Sequence, residues 1–457
     1  MPSGESKSHP MTTEQKKLLI AYFYMNFCVG ASNSILAPFF PKEAELKGAS
    51  PSQYGLIFSI QEVICFFLCP VFVKLLPVIK TRWMVIGGAI LASISIACFG
   101  LLKWSPGGQS FIILAFTIRS ISAVGSSALI TGNYSSIPVL FNHHMAQAYG
   151  TFELGQGLGS IFGPFIGGLV FQYTDFSGPF FVMAVMEVIA ALIIFVVLPS
   201  SPKHDNDSSS GNSFKFVMSN YWISLNLVVS TIACVFLSYN DSSLEPHIRE
   251  VAQLSPFQTG SIFLASGLTY AISSQLFGWI IDKMDDPTYL SSFSLFLCAF
   301  SIGFLGPLHG LPFTAQLWTI VLSQITLHIG LAIAFVGTFD GAMKAHGRSE
   351  YCDDPLIPRT ISSIFVAFYC FGNGVGPALA GFLVENMGYR KAGWPLVCLG
   401  LATGIALWIS GFAAKQHQPD WTQVAKDETP FYRRISISKS THIKCVTTAQ
   451  EPIEENQ

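Results

Sequence analysis

Long apolar runs, separated by short polar segments, occupy most of the chain. A helix needs about 20 mostly apolar residues to cross the roughly 30 Å hydrocarbon core of a bilayer. Twelve runs reach that length, at residues 18–40, 52–73, 83–102, 110–132, 145–171, 179–198, 221–245, 257–281, 290–308, 316–340, 359–384 and 393–414. The pattern therefore predicts an all-α polytopic membrane protein with 12 transmembrane helices.

One interruption between these runs differs from the others. Residues 199–219 are rich in Ser, Asn and Asp, a composition typical of a flexible, solvated linker. The linker divides the chain into an N-terminal six-helix half, 18–198, and a C-terminal six-helix half, 220–414. The tails, 1–17 and 415–457, are then expected to lie outside the bilayer.

The two halves repeat short sequences. SPSQYGLIF at 50–58 returns as SPFQTGSIF at 255–263, and GPFIGG at 163–168 returns as GPALAG at 376–381. Either motif alone could be a generic helix start or kink, but two matches at nearly equal offsets favour an internal duplication. Two homologous halves in the same orientation predict a substrate site at the midplane between them, exposed alternately by rocking.

Composition excludes several classes of function. Hydrophobic residues make up 51% of the chain and charged residues 11%, against about 25% charged in a typical soluble domain. Lys and Arg nearly balance Asp and Glu, so no nucleic-acid partner is expected. The ten cysteines form no CxxC pair, and there is no P-loop. We therefore expect no metal, no cofactor and no ATP-driven step.

The distribution of basic residues predicts the orientation in the membrane. With both termini in the cytoplasm and the C-terminal tail left out, 12 Lys and Arg residues lie on the cytoplasmic side and 6 on the opposite side. Basic residues are enriched in cytoplasmic loops. This excess favours cytoplasmic termini.

Ionisable groups inside the predicted spans are expensive to bury, so each is a candidate for function. The acids outnumber the bases, because one base, Arg119, faces six acids: Glu62, Glu153, Glu187, Asp241, Glu245 and Asp340. An interior rich in carboxylates suits protons and a cationic substrate and disfavours an organic anion. Helical spacing places Glu153, Asp241 and Glu245 on polar faces, whereas Glu62 and Glu187 lack such a face and stay unassigned.

Further polar candidates for the substrate or proton site are Asn33, Tyr369 and Asn373. For such side chains, a hydrogen-bond seam between helices remains the alternative. Asp340 lies one turn before Lys344, so a helix-end salt bridge competes with a site role.

Arg119 is predicted to pair with Glu153. The pair is either a fixed buried ion pair or one that breaks when Glu153 takes up a proton and so couples proton movement to rocking.

Glycines concentrate in the fifth span, where they permit close helix packing and a kink. Gly155, Gly159, Gly163, Pro164, Gly167 and Gly168 resemble the antiporter signature of the major facilitator superfamily; simple tight packing is the alternative. Arg119 and Gly125 resemble the arginine motif of its fourth helix. The segment 278–283 resembles its gate motif, which implies a gate role for Asp282 and Lys283, with an ordinary helix-end charge contact as the alternative.

A closer resemblance covers residues 18–414. The segments 34–50 and 270–278 are similar to vesicular polyamine transporters, within the vesicular amine transporter branch of that superfamily. The resemblance implies proton/amine antiport in acidic secretory organelles. It implies that Glu245, before Pro246, serves substrate binding and proton coupling, and that Asp340 matches a tenth-helix acid of the monoamine transporters.

Two departures from the monoamine transporters bear on the substrate. Their first-helix and eleventh-helix acids fall near Val29 and Val366, which favours a polyamine over a monoamine. The expected protein is a monomeric secondary active transporter, not an enzyme. It exchanges luminal protons for cytosolic spermine or spermidine and depends on a separate vesicular proton pump. The alternatives are a broad-specificity cation or drug exporter at the plasma membrane, and a membrane receptor or scaffold without transport.

Overall fold

The computed structural model describes residues 11–76, 78–141, 145–199, 210–281, 283–284, 286–306, 315–347 and 356–417. These residues form fourteen α-helices and a short 3₁₀ helix, Leu101–Trp104, with no strand among them. The helices are α1 Thr13–Ser34, α2 Leu36–Leu46, α3 Pro51–Leu75, α4 Thr81–Gly100, α5 Gln109–Leu140, α6 Met145–Tyr173, α7 Ser177–Val197, α8 Ser210–Ser219, α9 Tyr221–Val251, α10 Pro256–Ile281, α11 Thr288–Leu305, α12 Leu317–Gly347, α13 Leu356–Met387 and α14 Tyr389–His417.

Twelve helical segments of the described chain are long and apolar enough to cross a membrane, which confirms the predicted spans. The first span consists of α1 and α2 together, since these two helices meet at Ile35. The largest difference from the predicted bounds is at α5. This helix continues to Leu140 instead of ending near 132.

The repeated SPxQxG sequence forms the same local structure in both halves. Ser50 and Pro51 begin α3, and the backbone N–H of Ser50 donates to the Gln53 side chain at 2.9 Å. The N–H of Ser255 donates to the side chain of Gln258 at 2.9 Å in the same way. Serine before the helix, proline in its first turn and glutamine three residues after the serine form a capping box. The motif therefore specifies where α3 and α10 begin.

Each half has its own apolar core, and a few helix pairs join the halves. In the first half, α1 packs against α6 and α7; in the second, α13 packs against α9. The halves meet where α3 packs against α13, α6 against α10 and α2 against α9. Because the number of spans is even, the start of α1 and the end of α14 lie at one end of the bundle. We call this end the terminal end and the opposite end, which holds residues 47–50 and 252–255, the closed end.

The linker differs from the flexible segment that its composition predicts. Its second part is the helix α8, in which Val217 is fully buried against Ile223 and Leu227 of α9 and Ile361 of α13. The apolar residues of α8 thus attach it to the second half. Residues 200–209 lie outside the described chain.

Candidate functional site

Two helix pairs bring the halves together at the closed end. A methyl group added to Gly55 of α3 would overlap the carbonyl oxygen of Pro377 in α13. In the related position of the other pair, a Cβ on Gly260 of α10 would lie 2.5 Å from the carbonyl oxygen of Pro164 in α6. The repeated SPxQxG and GP motifs are therefore packing partners. We call the α3–α13 contact the first clamp and the α6–α10 contact the second clamp.

Charged groups also link the halves at the closed end. Arg249 of α9 contacts Glu45 of α2 at 2.5 Å, and its Nε lies 3.6 Å from Oε1 of Glu245. The side chain of Glu245 is 7% exposed. The N–H of Ser52 donates to Glu385 of α13 at 2.9 Å. Together with the clamps, these contacts hold the two halves together at the closed end.

Arg119 and Glu153 lie at different depths, so their predicted ion pair is wrong for this conformation. Arg119 is ten residues from the closed-end terminus of α5, whereas Glu153 is twenty residues from the closed-end terminus of α6. At 1.5 Å per residue this separates them by about 15 Å along the bundle. The packing of α5 is the cause, because α5 packs against α3 and α4 and only slightly against α6.

The two residues have other partners. Glu153 is exposed, and the hydroxyl of Tyr134 donates to its Oε1 at 2.6 Å. Arg119 is 7% exposed and lies 6.0 Å from the centre of the Phe99 ring. The guanidinium interacts electrostatically with the carboxyl of Glu62 on α3, and its Nε has no hydrogen-bond partner.

Glu62 is the functional candidate that sequence patterns left unassigned. It lies in the first clamp, where a Cβ added to Gly374 of α13 would be 3.7 Å from the Cβ of Glu62. One turn further along α3, the ring of Phe66 is 5.9 Å from that of Phe371. A signal was present in the sequence. Glu62 follows Gly55 by seven residues, so both lie on the same face of the helix.

The remaining polar candidates are spread over several helix contacts. The side chain of Gln61 donates to Asn33 at 3.0 Å, which ties α3 to α1 and matches the hydrogen-bond seam left open above. Tyr369 and Asn373 interact with each other on α13. Asp241 is half-buried, and the preceding Asn240 pairs with Gln324 of α12.

Glu62, Arg119 and Asp241 share one level of the bundle. Each lies ten or eleven residues from the closed-end terminus of its helix, or about 15 Å. Three charged residues from three helices therefore lie near mid-depth. Glu187, ten residues from Ser177, lies at the same level but is buried between α7 and α1 near Ser32. The roles of these residues remain predictions.

The acid of α12 lies near the terminal end. Asp340 contacts Lys344 at 2.7 Å, and the Lys344 ammonium donates to the carbonyls of Ile281 and Met284. This is the helix-end salt bridge that competed with a site role. Of the two gate residues, Asp282 lies outside the described residues. Lys283 places its ammonium 3.1 Å from the centre of the Trp279 ring.

Most glycines of the antiporter-like motif face α1. A Cβ on Gly155 would lie 2.6 Å from the carbonyl oxygen of Phe23, and one on Gly163 would lie 2.7 Å from that of Ala31. Gly159 and Gly167 face α1 and Ile35 in the same way, whereas Gly168 faces Pro256 of α10 at 2.7 Å. The motif thus packs α6 tightly against its own half and, through Pro164 and Gly168, forms one side of the second clamp.

No group of three or more His, Cys, Asp or Glu residues suited to a metal ion occurs within the described ranges. The chemistry that the arrangement offers is the binding of cations and protons by carboxylates. One acid is in the first clamp, one lies beside Tyr134, and two lie along α9, at mid-depth and near the closed end.

The known proteins to which this chain is similar are membrane transporters. Residues 22–350 match the family model described as Major Facilitator Superfamily. The MFS-type transporter SLC18B1 of Mus musculus is 31% identical over 407 residues, which are 88% of this chain and 87% of that protein. The chromaffin granule amine transporter of Homo sapiens is 24% identical over 298 residues, which are 63% of this chain and 52% of that protein.

A solved structure shares the fold. A bacterial homolog of the human lysosomal transporter Spinster, in an inward-facing and occupied conformation, matches with a TM-score of 0.66 at 15% identity. The match covers 89% of this chain and 98% of that one. These findings confirm the predicted fold and the resemblance to the vesicular amine transporter branch.

Proposed function

The chain belongs to the Major Facilitator Superfamily, and from that premise we propose that it is a proton-coupled antiporter that loads polyamines into acidic secretory vesicles. The observation that carries the proposal is the excess of carboxylates near the interface between the halves. Glu62 and Asp241 lie at the level of the buried base Arg119, and Glu153 lies about 15 Å nearer the terminal end. Such groups are costly in a bilayer unless they bind ions or protons.

The choice of a polyamine rests on the number and spread of these acids. A linear polyamine carries several ammonium groups along its length, so it suits carboxylates that are distributed over several helices. A monoamine needs one or two acids. Val29 is buried and Val366 is apolar at the two positions where the monoamine transporters carry acids. Similarity to the chromaffin granule amine transporter supports an amine as the substrate.

The proposed cycle begins with the closed end sealed, as in this structure. With both termini in the cytoplasm, a cytosolic amine reaches the acids from the terminal end. Opening of the two clamps then exposes the amine to the lumen, where protons replace it. Glu245 lies on the luminal side of this route. The driving force is the proton gradient of a separate pump, with no other cofactor.

Uptake into liposomes tests the function. Purified protein in liposomes with an acidic interior should accumulate labelled spermine, and nigericin with potassium on both sides should abolish the accumulation. Spermine uptake that does not depend on the proton gradient would contradict antiport. Complete absence of both uptake and counterflow over a panel of amines would favour a receptor or scaffold instead.

A matched pair of variants on α9 tests the acid nearest the closed end. Glu245→Gln should lose transport while the protein remains folded, because its buried carboxyl is replaced by an amide. Glu250→Gln is the control, since Glu250 is on the same helix but its side chain is 72% exposed. Equal activity of the two variants would remove Glu245 from the mechanism.

The membrane of residence is tested separately. A tagged protein should colocalise with a vesicular proton pump. Residence at the plasma membrane would support the alternative of a broad-specificity exporter.

A further inference from the structure

We propose that Glu62 is the carboxylate that carries the exchanged proton, with Arg119 as its fixed counter-charge. This inference rests on the proposed antiport and assigns its coupling residue. It starts from the charge of Arg119, because a guanidinium cannot give up its proton in a protein. A buried positive charge of this kind needs a negative partner nearby.

Glu62 supplies that negative charge in the described part of the chain. Arg119 and Glu62 lie at the same level of the packed helices α5 and α3, yet the two do not form an ion pair within 4.0 Å, and Nε of Arg119 is buried without a hydrogen-bond partner. The carboxyl is thus held by attraction without being locked in a direct contact. Such a carboxyl retains an oxygen for a proton.

The other groups that face Glu62 carry no competing charge in the described residues. They are thiols and one phenol, from α3, α9 and α13: Cys65, Cys69, Cys234, Tyr369 and Cys370. With neutral neighbours, the charge state of Glu62 determines whether Arg119 is compensated.

The position of Glu62 links its proton to the movement of the halves. Arg119 and Glu62 belong to the same half, whereas Gly374 and Cys370 of α13 belong to the other. Rocking that separates α13 from α3 uncovers the carboxyl, and closing covers it again. The two states therefore differ in their affinity for the proton, and by reciprocity the proton changes the balance between the states.

Glu153 lacks this arrangement. It is exposed, accepts a hydrogen bond from Tyr134 and lies about 15 Å from Arg119 along the bundle. Because Glu153 is itself a candidate substrate acid, the same substitution there separates the loss of an acid from the loss of proton coupling.

Measurements of gradient-driven accumulation and of counterflow separate the role of Glu62 from that of Glu153. Wild-type protein, Glu62→Gln and Glu153→Gln are compared in liposomes for accumulation of labelled spermine with an acidic interior, and for exchange of spermine at equal pH. Glu62→Gln should lose the gradient-driven excess, which is about tenfold for each exchanged proton per pH unit, and keep counterflow. Glu153→Gln should lower accumulation and counterflow in proportion, because it removes a substrate acid, and should keep a gradient-driven excess.

Two further variants control for the possibility that Glu62→Gln does not fold. Glu62→Asp should retain gradient-driven accumulation. If Glu62→Gln fails to fold because Arg119 is left uncompensated, the double variant Glu62→Gln/Arg119→Gln should fold, exchange spermine and show no gradient-driven excess. Accumulation like that of the wild type by either folded variant would overturn the role of Glu62, and so would loss of counterflow. A wild type that never accumulates spermine would instead contradict the proposed function, and the inference with it.

Discussion

The two clamps are built from the same repeated motifs, but they differ at mid-depth. In both, glycines from the SPxQxG helix and the GP helix let the backbones touch. Gly55 meets Pro377 and Gly381 meets Pro51 in the first clamp, and Gly260 meets Pro164 and Gly168 meets Pro256 in the second. Two turns deeper, the first clamp places Glu62 beside Gly374. At the related positions, the second clamp has Gly267, whose Cβ would lie 2.6 Å from Cγ1 of Ile161.

The difference shows which features belong to the fold and which to the function. Backbone contacts that occur in both clamps join the halves at the closed end and belong to the fold. The position that carries a glycine and an isoleucine in the second clamp carries a carboxyl and a glycine in the first. Close packing is thus shared, and the charge is confined to one clamp.

The largest expected effect comes from the shared glycines. Gly55→Ala and Gly260→Ala should each shift the protein away from the closed conformation, because the new methyl groups overlap carbonyl oxygens of the opposite half. Overpacking that costs about 1–3 kcal/mol corresponds to a roughly 5- to 150-fold shift in the equilibrium away from the closed conformation. Spermine uptake by the purified variants in liposomes measures the effect of this shift.

Gly157→Ala is the control for this pair, since nothing lies within 4 Å of its added methyl group. An effect of Gly55→Ala without one of Gly260→Ala would show that the clamps are not equivalent at the closed end.

The apolar position of the second clamp should respond to a compensating change. Gly267→Ala should lower the melting temperature of the detergent-solubilised protein, because its methyl group meets the side chain of Ile161. Overpacking costs about 1–3 kcal/mol. The double variant Gly267→Ala/Ile161→Val should recover part of the loss. Additive losses in the double variant would mean that the two residues do not compete for the same space.

A smaller difference between the clamps lies at their outer edge. Glu385 accepts the N–H of Ser52 at the start of α3, whereas the related position in α6 is Gln172. A carboxylate at a helix N-terminus contributes about 0.3–1 kcal/mol. Glu385→Gln should therefore speed hydrogen exchange at the first turn of α3 and leave the first turn of α10 unchanged. Faster exchange at both helices would indicate a general loosening.

The smallest expected effect lies outside both clamps. The pKa of Asp175 is held below its usual value because the Lys103 ammonium hydrogen-bonds to it and the N–H of Ser177 donates to it. A carboxyl with a lowered folded pKa adds stability above its unfolded pKa, about 3.9, and this stability is lost as the pH falls through the folded value.

Asp175→Asn should thus lower the melting temperature slightly at neutral pH and leave it unchanged at strongly acidic pH. Both charged side chains are more than a third exposed, so screening keeps the effect below about 1 kcal/mol. A larger loss at acidic pH than at neutral pH would contradict the assignment.

The sequence was sufficient for the twelve spans, because the length of an apolar run directly reflects the thickness of a bilayer. It was also sufficient for the two helix starts at Ser50 and Ser255, whose capping is local. The partner of Arg119 was not accessible in this way. The partner depends on which helices pack together, and α5 packs against α3, which carries Glu62, and only slightly against α6, which carries Glu153. The face shared by Gly55 and Glu62 becomes informative once α13 is known to pack there.

The exchange of protons for an organic cation is the central claim, and it is tested most directly by recording both fluxes together. Liposomes containing the wild-type protein, an acidic interior and a trapped pH indicator are given external spermine with the membrane potential held at zero. The interior should become alkaline as labelled spermine enters, and Glu62→Gln should uncouple the two signals. Entry of spermine through the wild-type protein with the internal pH unchanged would contradict the account.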